Sequence, residues 1–470
     1  MVSADALNLD VLEQIFAYLA GNDLPAVALA SRAFFAGVIP RLYSTLLFRL
    51  SQAKRYPAVM SPFAAVSAHP ELAVHVRHVD IRILPTVKNQ YNSKFLTECT
   101  RALDLCHNLT SFRCSVNALP PFIGVLQKKD RLRDLRIYAN LTTEQCQKLV
   151  KGSSEIRHLT LDFASWNVMN LLPQWTGALQ NSLTTLTLFM ANELNETVLG
   201  SALEELPNLS GLHVVGCAKV DHHSILTLVK HTPNLTALSM TTGDNTRALP
   251  QPRPSLAHLQ HLAIGVRLQS SPPVIGAAPS TGVGVLSSIL NYIASPSPSL
   301  SFSSSPPSLV SFIVKYPDRQ NPLTIAPSFI QQQLIGTHAR TLRTIALIDC
   351  LGSMDVLTAL CRACVALERL EVMIPVRDWK LFTTALSESR TLRALVDANA
   401  LNTHHPRAGP SLTQDNIRDM FRAVPSLQKV VGGDKRVWTR RKDQHGNLAI
   451  GLDRRPTQHA AAIHWFMPRD

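Results

Sequence analysis

Apolar positions recur along this chain in one spacing: an apolar residue, two variable ones, a second apolar residue, one variable, a third apolar residue. Three positions later comes Asn, Cys or a small side chain. The full form is Leu109-x-x-Phe112-x-Cys114-x-x-Asn117. It returns as Leu132-x-x-Leu135-x-Ile137-x-x-Asn140, Leu209-x-x-Leu212-x-Val214-x-x-Cys217 and Leu342-x-x-Ile345-x-Leu347-x-x-Cys350. Looser copies begin at Val76, Ile156, Leu183, Leu235, Leu259, Leu309, Leu367, Leu392 and Leu427. From Leu109 to Leu259 the starts fall 23 to 27 residues apart. The last two apolar positions of each copy are two apart, so they share one face of a short strand. The first enters the core from the preceding turn. The closing residue fits a tight bend, where an Asn side chain can satisfy backbone groups otherwise buried without partners. Ala164 and Ala191 fill that space in two copies without such bonds.

The segments between these strands carry helical periodicity. Ser224 to His231 places Ile225, Leu228 and Val229 on one face. Met354 to Leu367 places Val356, Leu357, Leu360 and Cys364 together, and Trp379 to Leu386 behaves alike. Pro-Asn-Leu at 207–209 and 233–235, and Pro-Ser-Leu at 425–427, end a helix and start a strand, as suits a residue that cannot continue a hydrogen-bonded helix. One strand–helix unit cannot bury its apolar face alone, but stacked neighbours can. The pattern resembles the leucine-rich repeat, whose units run about 20–29 residues. That resemblance implies an α/β solenoid, a horseshoe with parallel strands lining a concave sheet and helices on the convex side.

Between the starts at 259 and 309 the period breaks. Gln269 to Ser308 includes a Ser/Pro-rich tract with too little apolar surface to offset its ordering entropy, so a disordered insertion is expected. Val283 to Ile293 is expected to form one helix within it. Ser-Pro pairs at 271, 295, 297 and 305 offer sites to proline-directed kinases, an unmodified linker being the simpler reading. From Gly432 on the repeat is lost, and Trp438, Leu448, Ile450 and Trp465 predict a hairpin or cap over the open end of the stack. The chain thus divides into a helical segment over 1–50, a first repeat block over 70–268, the insertion over 269–308, a second block over 309–432, and a cap or basic tail over 433–470.

Residues 7–34 predict two helices. Asp10 to Leu19 carries Val11, Leu12, Ile15, Phe16 and Leu19 as a one-sided stripe, with Asn8 placed as N-cap. Gly21-Asn22 breaks it, and Asp23 caps a second helix that begins with Leu24 and Pro25. Leu7-Asn-Leu-Asp-Val-Leu-Glu-Gln-Ile-Phe-Ala-Tyr-Leu19, then Asp23-Leu24, Ser31-Arg32-Ala-Phe34 and Pro40-Arg-Leu-Tyr43, resembles the F-box of fungal F-box proteins with leucine-rich repeats. Asn8 stands where that family has proline, and Phe34 or Phe35 where it has tryptophan. The resemblance implies a substrate-recognition adaptor of a Skp–cullin–F-box ubiquitin ligase, acting in the Ubl conjugation pathway. Leu7, Leu9, Val11, Leu12, Phe16, Leu19 and Leu24 would bind a Skp-type adaptor and through it a cullin. A protein substrate would meet variable positions on the concave sheet such as Arg136, His158, Thr187, His213 and Ser239. The alternative is a protein-binding scaffold unconnected to ubiquitination, with Leu12, Phe16 and Leu19 packing on the first repeats.

Composition narrows the field. With 46% hydrophobic and 17% charged residues the chain reads as soluble and globular. No run approaches the roughly 18 consecutive apolar residues of a membrane span. Met1 to Asp10 lacks the basic-then-apolar order of a secretory signal. The eight scattered cysteines therefore read as reduced thiols, and Asn208-Leu-Ser and Asn234-Leu-Thr as repeat turns, in a cytoplasmic or nuclear protein. The formal charge of +13 is spread out. Only Lys435-Arg436 and Arg440-Arg441-Lys442 cluster, as in a nuclear-import patch, and nucleic-acid binding is not expected. Cys361-x-x-Cys364 lacks the second pair a structural zinc site needs. His222-His223 and His404-His405 are expected to be exposed. Gly282-Val-Gly284 lacks the third glycine of a dinucleotide loop. No phosphate loop, nucleophile elbow, cofactor motif or metal set is legible, so no enzyme is expected.

Overall fold

Every repeat start read from the spacing leads into a strand. The computed structural model describes the chain apart from residues 1–6, 20–22, 153–154, 244–247, 268–281, 295–307, 318–321, 376–377, 399–411, 435, 454–463 and 469–470. It contains two compact units, the first Met1–Leu209 with Cys217–Lys219, the second Ser210–Gly216 and Val220–Arg455 with Ile463–Asp470.

In the first unit the ladder runs β1 (Thr45–Phe48), β2 (His78–Ile81), β3 (Ser111–Cys114), β4 (Asp134–Tyr138), β5 (His158–Asp162) and β6 (Thr185–Phe189), each parallel to the next. The register stacks like on like. Phe112, Leu135, Leu159 and Leu186 form one row, and Cys114, Ile137, Leu161 and Leu188 the next. All are fully buried. Burying each of the large aliphatic ones stabilises the fold by about 1.5–3 kcal/mol, which is why the spacing is kept so strictly. The helices between strands, among them Ser93–Leu105, Thr143–Lys151, Trp166–Ala178 and Glu196–Glu204, pack on one another in succession. Their starts are capped locally. The side chains of Asn92, Thr142 and Asn195 accept backbone N–H groups that the first helical turn leaves unpaired.

The second unit continues the plan with β7 (Gly211–Val215), β8 (Ala237–Thr241), β9 (His261–Gly265), β10 (Ser311–Lys315), β11 (Thr344–Ile348), β12 (Arg369–Val372), β13 (Ala394–Asp397) and β14 (Lys429–Val431), again all parallel. The predicted helices appear as His222–Leu228, Met354–Ala363 and Trp379–Ser387. The helix expected over 283–293 is Gly282–Ala294, with Leu286 and Ile289 buried. The remainder of the Ser/Pro-rich insertion, with its Ser-Pro pairs, lies outside the described residues. At the C-terminal end of the ladder β15 (Val437–Lys442) and β16 (Leu448–Asp453) turn antiparallel, with Trp438 opposite Val430. This hairpin closes the parallel ladder and blunts its edge.

Three details differ from the sequence reading. The ladder starts a repeat early: β1 pairs with β2 in the register Leu46↔Val79 and Phe48↔Ile81, so Tyr43 takes the place of the leading leucine. Asn117 and Asn140 are exposed. The interior of those bends is filled by Ala118 and Ala139, which seal it without a polar group to satisfy. Where Cys stands at the bend it is buried, and the Cys217 thiol donates to the carbonyl of Leu188 at 3.7 Å. Finally, the N-terminal segment holds three described helices, because Ser31 accepts the Phe34 amide at 3.1 Å and caps a new one.

Candidate interaction surfaces

The N-terminal helices are α1 (Leu9–Phe16), α2 (Asp23–Ala28) and α3 (Arg32–Leu42). Leu12, Phe16 and Val38 form their buried centre, with Leu19, Leu24, Val27 and Phe34 packed around it. Gly37 lets α1 and α3 approach closely: a Cβ there would lie 3.0 Å from that of Leu12. Phe16 and Phe34 meet edge to face at 5.5 Å. The Arg41 guanidinium donates to the Leu19 carbonyl at 3.0 Å and ties the end of α1 to α3. Asn8 stands at the N-cap but makes no side-chain capping bond.

The seven apolar residues expected to meet an adaptor therefore divide. Leu12 and Phe16 are core, Leu19 and Leu24 are half-buried, and Leu7, Leu9 and Val11 are exposed. Ile15, left out of that set, is 47% exposed and lies one turn from Val11 on the same face of α1. Tyr18, Leu29 and Phe35 are exposed nearby in sequence.

On the sheet, the variable residues between core leucines make an outer face opposite the leucine core. In the first unit this face is laced by cross-strand ion pairs. Arg113 donates to Asp134 at 2.7 Å, and Ser111 donates to the same carboxylate at 2.8 Å. Arg136 donates to Asp162 at 2.9 Å. Of the positions expected to face a substrate, His158 is exposed, while Arg136 is half-buried and committed to Asp162. Thr187, His213 and Ser239 are completely buried, a correction to their expected exposure. For Thr187 the hydroxyl has no hydrogen-bond partner among the described residues.

For His213 and Ser239 the cover is the chain's own end. Residues 464–468 lie across the outer face of β7–β10. Phe466 is fully buried. Its carbonyl accepts from the Ser239 hydroxyl at 3.0 Å and from His261 Nε2 at 2.8 Å. The Ser239 oxygen in turn accepts from His213 Nδ1 at 2.7 Å, which assigns the Nδ1–H tautomer to His213 and the Nε2–H tautomer to His261. The Phe466 ring lies 5.9 Å from that of His213, and the His464 ring stacks on it at 4.8 Å. Trp465 packs against Gly265, with the Lys315 ammonium 5.6 Å from its ring centre. Trp465, expected in the end cap with Trp438, thus belongs to this face instead.

Complete burial pushes the His213 imidazole down to about 3, and the neighbouring His261 and His464 add to the effect. Burial likewise takes His338 down to about 4. These side chains stay neutral when folded but take up protons below about 6.5 once unfolded. The unfolded state thus binds more protons as pH falls from 6.5 towards 4, and stability present above pH 6.5 is lost over that window. At pH 5 each of the two costs about 2 kcal/mol. Thermal melts at pH 7.5 and pH 5 should show a clear drop for the second unit, and an unchanged midpoint would refute this reading.

Other singled-out residues resolve structurally. His222 is buried, not exposed, because its Nδ1 accepts the Gly243 amide at 3.0 Å; burial lowers its pKa against the opposing pull of Asp221. His404 and His405 lie outside the described residues. All eight cysteines are buried free thiols. Burial pushes Cys361 up to about 12 and Cys364 up to about 11, so neither is a reactive thiolate. Among the described residues no group of three or more His, Cys, Asp or Glu could hold a metal ion, and no helix is long and apolar enough to cross a membrane. Within the basic cluster, Arg440 turns inward, donating to the carbonyl of Pro425 at 2.8 Å and covering the Phe421 ring.

No family model and no curated protein matches the chain. Among solved structures it is similar to the leucine-rich repeat-containing protein LegL7 from Legionella pneumophila, at 13% identity over 73% of this chain and 86% of that one, with a TM-score of 0.35. It is also similar to a chain of the Rad7 and Elc1 complex of yeast, at 14% identity over 84% and 93%, with a TM-score of 0.39. A third is the TLR13–ssRNA13 complex, at 15% identity over 76% and 46%, with a TM-score of 0.32. The alternating strand–helix ladder described above is itself that of a leucine-rich-repeat-like fold. Its outer face presents variable side chains on a regular frame.

Proposed function

We propose that this chain is the substrate-recognition adaptor of a Skp–cullin–F-box ubiquitin ligase, working in the cytoplasm or nucleus. The N-terminal helices engage a Skp-type adaptor and through it a cullin, and the outer face of the repeats captures a protein substrate. The observation that carries the reading is that α1 is apolar on two faces. Leu12 and Phe16 bury one against α3, while Val11 and Ile15 leave the other exposed. A helix serving only as a cap needs one stripe. Apolar residues gathered on a short exposed helix are the mark of a contact surface. A second reading, a repeat scaffold unconnected to ubiquitination, draws on Leu12 and Phe16, which pack within their own helical cluster as those of a cap would.

The test is co-purification with a Skp-type adaptor, comparing wild type with Ile15→Glu. Because Ile15 is on the surface, the change should alter stability by no more than about 0.5 kcal/mol. In a contact it buries an unpaired carboxylate, and adaptor binding should weaken at least about tenfold, or 1.4 kcal/mol. If folded wild type does not bind, the ligase reading falls and the scaffold reading stands.

A further inference from the structure

We propose that the outer face of β7–β10 is a binding site for an aromatic peptide segment, and that the chain's own residues His464–Pro468 occupy it in cis as a displaceable plug. This goes beyond the adaptor reading: it rests on the repeat face being protein-binding, not on any contact with a Skp-type partner.

The segment is held the way a ligand is held. It adds no strand to the ladder among the described residues. One backbone carbonyl, that of Phe466, is clamped between the Ser239 hydroxyl and the His261 imidazole. One aromatic ring is completely desolvated beside His213, and a second lies over Gly265 under the Lys315 ammonium. Such buried aromatic anchors carry most of the binding energy in peptide and protein contacts. The floor is shaped to receive them. His213, Ser239 and Ala263 stand in one register row, and Ala263 and Gly265 are small where the next strand carries Ile313 and Lys315. A Cβ at Gly265 would come within 3.3 Å of the Trp465 ring.

Departure of the segment would not disturb the core. The leucine rows face the other side of the sheet, and the polar groups that hold the segment are the Ser239 hydroxyl and the His261 imidazole, which water can satisfy. Another peptide offering an aromatic side chain and the following carbonyl would make the same contacts. Beyond Pro468 the face opens into a groove of about 430 Å³ bordered by Arg343, Arg369, Arg393 and Glu368, in which Arg369 is paired with Glu371 at 2.8 Å. Tethering raises the local concentration of the cis segment to about the millimolar range, enough to exclude a weak competitor and to yield to a stronger one.

The experiment measures fluorescence anisotropy of a labelled synthetic peptide with the sequence of residues 463–470. It is titrated with the full-length chain, with full-length Phe466→Asp, and with a chain ending at residue 462. Circular dichroism and thermal melts accompany each. The two variants should bind the peptide at least tenfold more tightly than wild type, and adding Ser239→Ala to Phe466→Asp should weaken that binding at least fivefold. A folded variant that does not bind the peptide overturns the proposal, as does equal binding to wild type. If both variants unfold, the segment is part of the core and not a plug, and the proposal falls as well. Skp-type binding is measured with the tail intact, so its outcome and this one are read separately.

Discussion

Leu12→Glu should unfold the N-terminal helical cluster while leaving the repeat ladder intact. Leu12 is 2% exposed, touches Phe16 and Val38, and has no cation beside it among the residues of its cluster. A carboxylate there is either buried uncompensated or protonated at a cost, and the packing of the leucine is lost in addition. Together these amount to about 3–5 kcal/mol. Three short helices around so small a centre have little more than that to lose. Limited proteolysis should cut residues 7–42 of the variant long before wild type, with the remainder of the chain resistant; equal protection would overturn the placement of Leu12. The same measurement on Ile15→Glu should show no change. This contrast matters for testing function: loss of adaptor binding by Leu12→Glu reports only unfolding, whereas loss by Ile15→Glu reports a contact.

Phe95→Ala should be the most damaging single truncation in the first unit. Phe95 is fully buried at the meeting point of β1, helix Pro62–Ala68 and helix Ser93–Leu105. Its ring lies 4.3 Å from Phe48, 5.8 Å from Phe63 and 5.2 Å from Tyr56. Removing it opens a cavity among three other rings, at a cost of about 3–5 kcal/mol. In a unit of this size that lowers the melting midpoint by roughly 6–20 °C. Calorimetry of the full chain should show one transition shifted by that amount, and a shift under about 2 °C would mean that the first strand is not anchored here.

The ladder was legible because its cause is local. Two apolar residues two apart, led by a third three positions earlier, specify one short strand whatever the rest of the chain does. Thirteen starts predicted this way all lead into strands. Among the described strands of the parallel ladder the one missed, β1, has Tyr43 in the leading place, so the signal was present but aromatic. The end hairpin was legible from Trp438, Leu448 and Ile450 because apolar residues had to cover the last strand. The closing Asn of two copies was misjudged because the bend needs only a filled volume, and Ala118 and Ala139 fill it.

The candidate sites were less legible for two reasons. A helical stripe shows which residues are apolar but not which side meets the neighbouring helix. On α1 that choice was made by Gly37, whose missing side chain draws α3 onto Leu12 and Phe16 and leaves Val11 and Ile15 outside. On the sheet, alternation alone predicts that His213 and Ser239 are open. Their burial comes from Phe466, whose carbonyl meets a hydroxyl 227 positions away in sequence. The sequence by itself therefore determined the repeat, its register and the face of each strand that forms the core, because those follow from periods of a few residues. Only the tertiary structure decided which apolar face of the first helix stays exposed and which part of the sheet is already covered. Those depend on close approach between segments distant in the chain, which no local period encodes.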